Sequence, residues 1–393
     1  MSEPSVFLQS NRRNPKQRYV FIDLYRSVVI LLMLEGHVFR TFLPSNIQQA
    51  PWFQIHEFFH GLSAPAFLFG AGLTFVISTR RRWEEYHHWD PPLAKRIRRL
   101  LIVILLGLAL HLPYFSLKKI LIEGTLSDYL QLFQFDVLHC IGIGLLSLHG
   151  LIFFFKYETR FYSLVIASIF IVCFTTPIIW DIDFLRYLPT PIAQMFNGFH
   201  GSPFPIFPYV GFLYAGVIVS WEFLVAAECK REKRFMFWLA IVGMIFIIFG
   251  YIFDVLPFQV YPTYNYWFTS PNYFLVRTGS LMVILAAFWY LSQRLPQPGK
   301  IWIVLGIESL FVYVLHLLFL YGSVVNPKLN LQVIFGNHLS LFQTTGIFIG
   351  LFVTMFLSAL GWNYLKEKHF NIYRILQFAA IGIFLCLFFT REY

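Results

Sequence analysis

Residues 18–43 read RYVFIDLYRSVVILLMLEGHVFRTFL, and after a short loop residues 59–72 read FHGLSAPAFLFGAG. Both stretches are apolar enough for a membrane, yet the first holds Asp23, Arg26, Glu35, His37 and Arg40. An ionised side chain near a bilayer centre costs about 2.5–3.5 kcal/mol on insertion scales, so such residues face a bundle interior or a wet cavity. At about 100° per residue, Asp23, Arg26, His37 and Arg40 fall on one face of a helix, and Glu35 points to the other side. The stripe predicts a site, or the wall of one. The loop that follows adds His56 and His60.

Composition agrees with a membrane setting. The 393 residues are 58% hydrophobic and 13% charged, with a mean hydropathy of +0.63. A soluble domain carries roughly twice that charge. Apolar runs near the roughly 20 residues needed to cross a bilayer recur from end to end. The expected fold is all-α: a polytopic integral membrane helical bundle with about eleven transmembrane helices, near 20–43, 58–79, 100–117, 129–154, 161–180, 205–225, 235–256, 272–292, 301–322, 341–364 and 371–389. One transmembrane domain is expected over 18–393, behind a polar, basic tail over 1–17 with no cleavable leader, so that the first span serves as the anchor.

The net charge of +10 sits in short loops and is not a nucleic-acid footprint. About 21 of the 30 basic residues fall in alternate loops, among them Arg80–Arg99 and Lys230–Arg234. The positive-inside rule makes that side, and with it the N-terminus, cytoplasmic. The four cysteines, Cys140, Cys173, Cys229 and Cys386, lack metal or redox spacing and read as packing residues. There is no HExxH and no familiar carboxylate–histidine ligand set, so no metal is expected. The loops at 181–208 and 256–272 are rich in aromatic residues, Pro and Asn. They suit either an interfacial aromatic belt or a sugar-binding cleft.

Further polar groups gather towards the outer half of the expected bundle. Asp136 and His139 sit at i, i+3 and share a face; Ser309, Tyr313 and His316 form one stripe; Arg277 lies just inside its span. Convergence from several helices is informative because each buried polar group needs a partner. At the cytoplasmic side Lys95, Arg96, Arg98 and Arg99 form KRIRR. That cluster suits either anionic lipid or a phosphate clamp, since arginine forks match phosphate oxygens. No glycine-rich phosphate loop is present.

Taken in order, RYVFIDLYRSVVILLMLEGH, GLSAPAFLFGAGLTF, KRIRRLLIVILLGL, FPIFPYVGFLYAG, SPNYFLVRTGSLMVIL and ESLFVYVLH are similar to the catalytic family of heparan-alpha-glucosaminide N-acetyltransferase. The resemblance implies a cytoplasmic acetyl-CoA donor, transfer through the bundle, and a glucosamine-type acceptor on the far side. The family's catalytic histidine precedes a Gly-Leu pair by five residues, which carries the role to His56 ahead of Gly61-Leu62. Ser27 replaces the family's usual glycine, and His60 and His37 depart from the lysosomal enzyme's pattern. These departures leave the choice between His56 and His37 open.

The expectation is a membrane acyltransferase moving an acetyl or similar group from acyl-CoA to an amino or hydroxyl group of an extracytoplasmic glycan. His56 or His37 serves as general base or transient acyl carrier. Asp136 or Glu35 orients it, and Arg26 and Arg277 meet the oxyanion or pair with carboxylates. The KRIRR residues hold the CoA phosphates, and His60, His139, Ser309, Tyr313 and His316 line the acceptor path. A transporter or flippase of a lipid-linked sugar or organic acid would use the same polar tunnel, but no internal repeat supports it. A bacterial inner membrane is favoured by the absence of an Asn-x-Ser/Thr sequon, and a homodimer is left open. The charge alternation is checked by cysteine labelling. Labels at Trp83 and Lys233 should react from the cytoplasm and those at Asn197 and Asn265 from outside; labelling of 83 and 197 from one side would overturn the span order.

Overall fold

The computed structural model describes residues 19–256, 265, 269–295 and 299–391. The expected tail over 1–17 and most of the aromatic loop between 256 and 269 lie outside the described residues. Every regular element among the described residues is helical. Helix α1 (Val20–Phe42) leads through the short α2 (Ser45–Gln48) into α3 (Pro51–His60) and α4 (Ser63–Thr79). A 3₁₀ stretch, Arg80–Tyr86, connects to α5 (Pro91–Leu110), and two short helices follow, α6 (Leu117–Glu123) and α7 (Leu126–Leu132). Long helices α8 (Val137–Phe154) and α9 (Glu158–Ile179) precede the short α10 (Thr190–Ala193). Then come α11 (Ile206–Glu228), α12 (Glu232–Val255) and α13 (Pro271–Arg294). The chain ends with α14 (Lys300–Ile307), α15 (Ser309–Tyr321), α16 (Leu331–Phe335), α17 (Leu341–Lys368) and α18 (Phe370–Thr390).

Eight helical segments among the described residues are long and apolar enough to cross a membrane: Pro51–Tyr86, α8, α9, α11, α12, α13, α17 and α18. The protein is a polytopic helical membrane protein. Charge keeps α1 and α5 out of that set, and a break at Glu308 divides α14 from α15. The third and fourth expected spans shift for local reasons. Pro91 and Pro92 start α5, as proline suits a first helical turn, so KRIRR lies inside the helix rather than before it. Asp136 caps α8 by accepting from the His139 backbone N–H at 3.0 Å. Residues 117–132 therefore form α6 and α7 instead of extending a span.

Helix α1 is the partition of the bundle. Its Phe21, Ile22, Tyr25 and Val29 join a core built with α4, α8, α9, α11, α12 and α13. Its Ile30, Met33, Leu34 and Val38 join a second core with α14, α15 and α17. Ser27 Oγ donates to Asp23 O at 3.0 Å and accepts from Gly306 N at 2.9 Å, tying α1 to α14. At the break, buried Glu308 accepts from Lys366 Nζ at 2.9 Å and Asn363 Nδ2 at 3.1 Å.

The end of the bundle that carries Arg80–Arg99 is basic; His56 and His60 lie at the opposite end. There the loop of residues 181–205 is tied down by polar contacts. Asn197 Nδ2 donates to Ile179 O and Ile182 O, each at 2.8 Å, and Ser202 Oγ accepts from Phe135 N at 3.0 Å. His200 Nε2 lies 2.7 Å from Asp183 Oδ1, and that hydrogen bond holds the Asp183 carboxyl below the usual carboxylate range. Phe184 and Phe196 stack at 4.8 Å, while Tyr187 and Phe199 are exposed.

Helices α4 and α11 touch through backbone. A Cβ on Gly72 would sit 2.0 Å from Leu213 O, and one on Gly216 would sit 2.1 Å from Phe69 O. Small residues let membrane helices approach this closely. Gly72→Val should therefore destabilise the protein by at least about 1–3 kcal/mol, the usual range for overpacking. Gly150→Ala, where nothing lies within 4 Å of the added carbon, should be neutral or mildly stabilising. Thermal unfolding in detergent separates the two; an equal response would refute the close packing.

Candidate active site

The polar residues of α1 find partners on both sides of the helix. His56 Nε2 lies 2.5 Å from Glu35 Oε1. Arg40 forks onto Glu57, with Nε to Oε1 at 2.9 Å. His37 Nδ1 pairs with the Tyr321 hydroxyl at 3.2 Å, and that hydroxyl also meets Thr41 Oγ1 at 3.0 Å. Deeper in the bundle, Arg26 Nη2 donates to Ser309 Oγ at 2.5 Å.

Glu35 was expected to point away from the stripe. It does leave α1 on the side opposite His37, and it still joins the cluster because α3 lies across the bare Gly36 between them. The His60 ring occupies the place of the missing side chain: a Cβ on Gly36 would lie 1.5 Å from His60 Nδ1 and 2.0 Å from Cε1. Helix α3 thus sits directly on α1, with His56 reaching Glu35 on one side and His60 reaching towards His37 on the other. The His56 and His60 rings are 6.3 Å apart, His60 and His37 6.1 Å, and His37 and His316 5.2 Å.

A 2.5 Å contact between imidazole and carboxylate needs a hydrogen between them. With the ring neutral and that hydrogen on Nε2, Nδ1 carries the free lone pair. His56 Nδ1 is buried, has no hydrogen-bond partner, and lies 3.9 Å from Glu57 Oε1. Carboxylate on one nitrogen and an open lone pair on the other is the arrangement of an oriented general base.

Asp136 does not meet His56. It lies beside His139 instead, with Oδ1 2.7 Å from Nδ1; Nδ1 accepts from the Asp136 backbone N–H at 3.2 Å, and Nε2 is buried without a hydrogen-bond partner. Asp136 Oδ2 lies 3.9 Å from His111 Nδ1, and the Tyr313 hydroxyl lies beside the same carboxylate. The His139 ring packs on Gly107 of α5, where a Cβ would come within 2.7 Å. Arg277 is buried, stands 3.9 Å over the Tyr273 ring, and approaches the Gly61 turn between α3 and α4.

Between these groups and the basic end lies a cavity of about 190 Å³, lined in part by Arg26, Thr74, Val103, Leu138, Ser309 and Tyr313. Its extension towards the basic end follows from two helices. Thr74 is one turn from Ser78 on α4, and Val103 is two turns from Arg96 on the same face of α5. Arg96 Nη2 donates to Ser78 Oγ at 2.6 Å. Lys95, Arg98 and Arg99, the other basic residues of KRIRR, are exposed. Sequence reading missed Tyr321, His111 and Ser78. No periodic pattern marks them, and each acts only through a partner from another helix. Among the described residues no three His, Cys, Asp or Glu side chains converge as metal ligands, and the four thiols are free.

A charged interior, an imidazole paired with a carboxylate and a cavity beside them are compatible with the acyltransferase expected from the sequence. The chain belongs to the family described as heparan-alpha-glucosaminide N-acetyltransferase, catalytic, whose model matches residues 18–255. No curated protein matches the chain. Arg277, Ser309, Tyr313 and His316 lie beyond the matched residues yet pack against those within them. The carboxylate contact can be tested directly. Glu35→Gln should abolish the far-downfield imidazole proton signal of His56 in the folded protein. Persistence of that signal would refute the pairing.

Proposed function

We propose that the protein moves an acetyl or similar acyl group from acyl-CoA, bound at the basic end, to an amino or hydroxyl group of a sugar at the opposite end. The observation that carries this reading is the Glu35–His56 pair at 2.5 Å, whose second nitrogen is open at the end facing away from KRIRR. Membership of an acetyltransferase family supports it. The basic end would lie in the cytoplasm of a cell with its inner membrane as the host bilayer. Arg96, with Lys95, Arg98 and Arg99 around it, would hold the donor's phosphates, because arginine forks match phosphate oxygens. The acyl thioester would extend along the cavity past Arg26 and Ser309.

His56 Nδ1 takes the proton of the attacking amine or hydroxyl. The acceptor atom bonds to the thioester carbon, charge builds on the carbonyl oxygen, and the C–S bond breaks to release CoA. Glu35 holds the ring orientation and balances the imidazolium that forms. The guanidinium of Arg26 or of Arg277 would offset the developing oxyanion.

The test uses purified full-length protein with acetyl-CoA and glucosamine, following thiol release and the acetylated sugar together. A general base contributes about 10²–10⁴ in rate. His56→Ala should lose at least about 10²-fold in turnover while still binding acetyl-CoA, and His37→Ala should weaken donor binding or stability as well. Near-normal turnover in His56→Ala, with collapse only in His37→Ala, would move the chemistry to His37. Absence of any thiol release by the wild-type protein would overturn the enzyme reading.

A further inference from the structure

Two pairs of helices frame a cavity that the transfer chemistry does not use. Helix α12 is drawn onto α13 by glycines: a Cβ on Gly243 would lie 2.7 Å from Gly279 O, and one on Gly250 2.6 Å from Asn272 O. Helix α9 packs on α11, where a Cβ on Gly211 would lie 3.6 Å from Val172 Cγ1. Between the pairs lies a cavity of about 720 Å³, far larger than the one beside Arg26. Along α13 it runs from Pro271 to Met282, a rise of about 16 Å in a roughly 30 Å hydrocarbon layer.

The wall is apolar, with Ile169 of α9, Ala215 of α11 and Phe246 of α12 among its residues. Phe174 and Phe253 also line it and are 53% and 47% exposed. The groove is therefore open sideways to lipid, and a hydrocarbon chain can enter it from the bilayer. Its polar groups are few and placed. Asp254 lies in the last turn of α12 and Asn272 in the first turn of α13, so both stand at the His56 end. Below them Thr278 is 4% exposed, and its hydroxyl has no hydrogen-bond partner. A hydroxyl in a helix can bond back to the carbonyl one turn earlier, as Ser280 does to Val276 O at 2.8 Å. Leaving the Thr278 hydroxyl unmet in an apolar wall costs free energy, which an oxygen of an ester-linked chain would recover.

The mouth of the groove leads to the acid–imidazole pair. Tyr273, next to Asn272, has its ring 6.5 Å from that of Phe58 on α3, two residues beyond His56. Arg277 stands over Tyr273 and approaches the Gly61 turn. At about 100° per residue, Tyr273 and Arg277 leave α13 on the face opposite the groove. A headgroup reaches His56 by passing over the start of α13, a helix about 10–12 Å across.

We propose that the acceptor is a glycolipid: one ester-linked chain lies in the groove between α9, α11, α12 and α13, and the amino sugar it carries is thereby held at His56. The proposal rests on the reading given under Proposed function and narrows its acceptor to a membrane-anchored one. Asp254 and Asn272 supply hydrogen-bond partners for sugar hydroxyls at the mouth. The sugar N–H and thioester C–S bonds break, and C–N and S–H bonds form. Lipid tails are as apolar as the groove, so the groove acts by placing the headgroup and not by drawing a chain out of water.

The test uses full-length protein in phosphatidylcholine nanodiscs, where both ends are accessible, with acetyl-CoA and two acceptors, free glucosamine and glucosaminyl-dipalmitoylglycerol. With both acceptors at equal total concentration, the wild-type protein should acetylate the glycolipid at least about tenfold faster, a gain expected from tethering. Ile169→Trp and Leu275→Trp fill the groove from half-buried positions. They should cut transfer to the glycolipid about tenfold, as misplacement of a reactant does, and leave transfer to glucosamine unchanged. The glycolipid with a diazirine in its acyl chain should label α9, α12 and α13 of the wild-type protein, and unlabelled glycolipid should suppress that labelling where added phosphatidylcholine does not. Equal suppression by phosphatidylcholine would reveal a groove for bulk lipid and overturn the proposal. So would faster transfer to glucosamine, or unchanged glycolipid transfer in the folded Trp variants; each leaves the acyltransferase reading intact. No transfer to either acceptor would overturn both. The wild-type labelling decides the matter even where a Trp variant fails to fold.

Discussion

The contact of the His60 ring with the bare backbone of Gly36 is the constraint on which the site depends. Where another residue would carry a Cβ, Gly36 offers a hollow that the imidazole occupies. Helix α3 is thereby held on the flank of α1. The Glu35–His56 hydrogen bond, the Arg40–Glu57 ion pair and the approach of His60 to His37 all follow from that single seating. Any side chain at position 36 would push α3 outward and separate these pairs together.

The same helix carries the rest of the architecture. Because α1 is polar on several sides, it cannot face lipid, and the bundle closes around it with one core on each flank. Its polar groups are met by residues far along the chain: Arg26 by Ser309, Ser27 by the backbone of Gly306, His37 by Tyr321. The last third of the chain, outside the family match, therefore completes a site whose first half lies within it.

The two acid–imidazole contacts differ in geometry and in surroundings: His56 Nε2 hydrogen-bonds Glu35, whereas His139 Nδ1 lies beside Asp136 Oδ1 and accepts from the Asp136 backbone N–H. Asp136 and His139 are almost fully buried, with His111, Tyr313 and Gly107 around them. The Glu35–His56 pair is partly exposed, with side chains 22% and 16% accessible. A base that must receive a proton from an external molecule needs such access, whereas a fully enclosed pair is suited to holding neighbours in place. Burial and hydrogen-bond geometry together separate the two roles.

The membrane class, the helical fold, the family and the presence of a polar site on the first span were all legible in the sequence. Hydropathy and the cost of burying charge act locally and leave a trace in every span. The partners were not legible. Asp136 and Glu35 were equal candidates for orienting His56, and which carboxylate meets which imidazole depended on the seating of α3 against Gly36 and on the capping of α8 by Asp136. Helical periodicity placed Glu35 and His37 on opposite sides of α1, but it describes where a side chain leaves its own helix and says nothing of a neighbour that lies across two faces. Composition and periodicity determined that this chain is a membrane bundle with charges it must hide. Only tertiary packing decided how those charges pair, because helix-to-helix contact is made by residues that no local pattern connects.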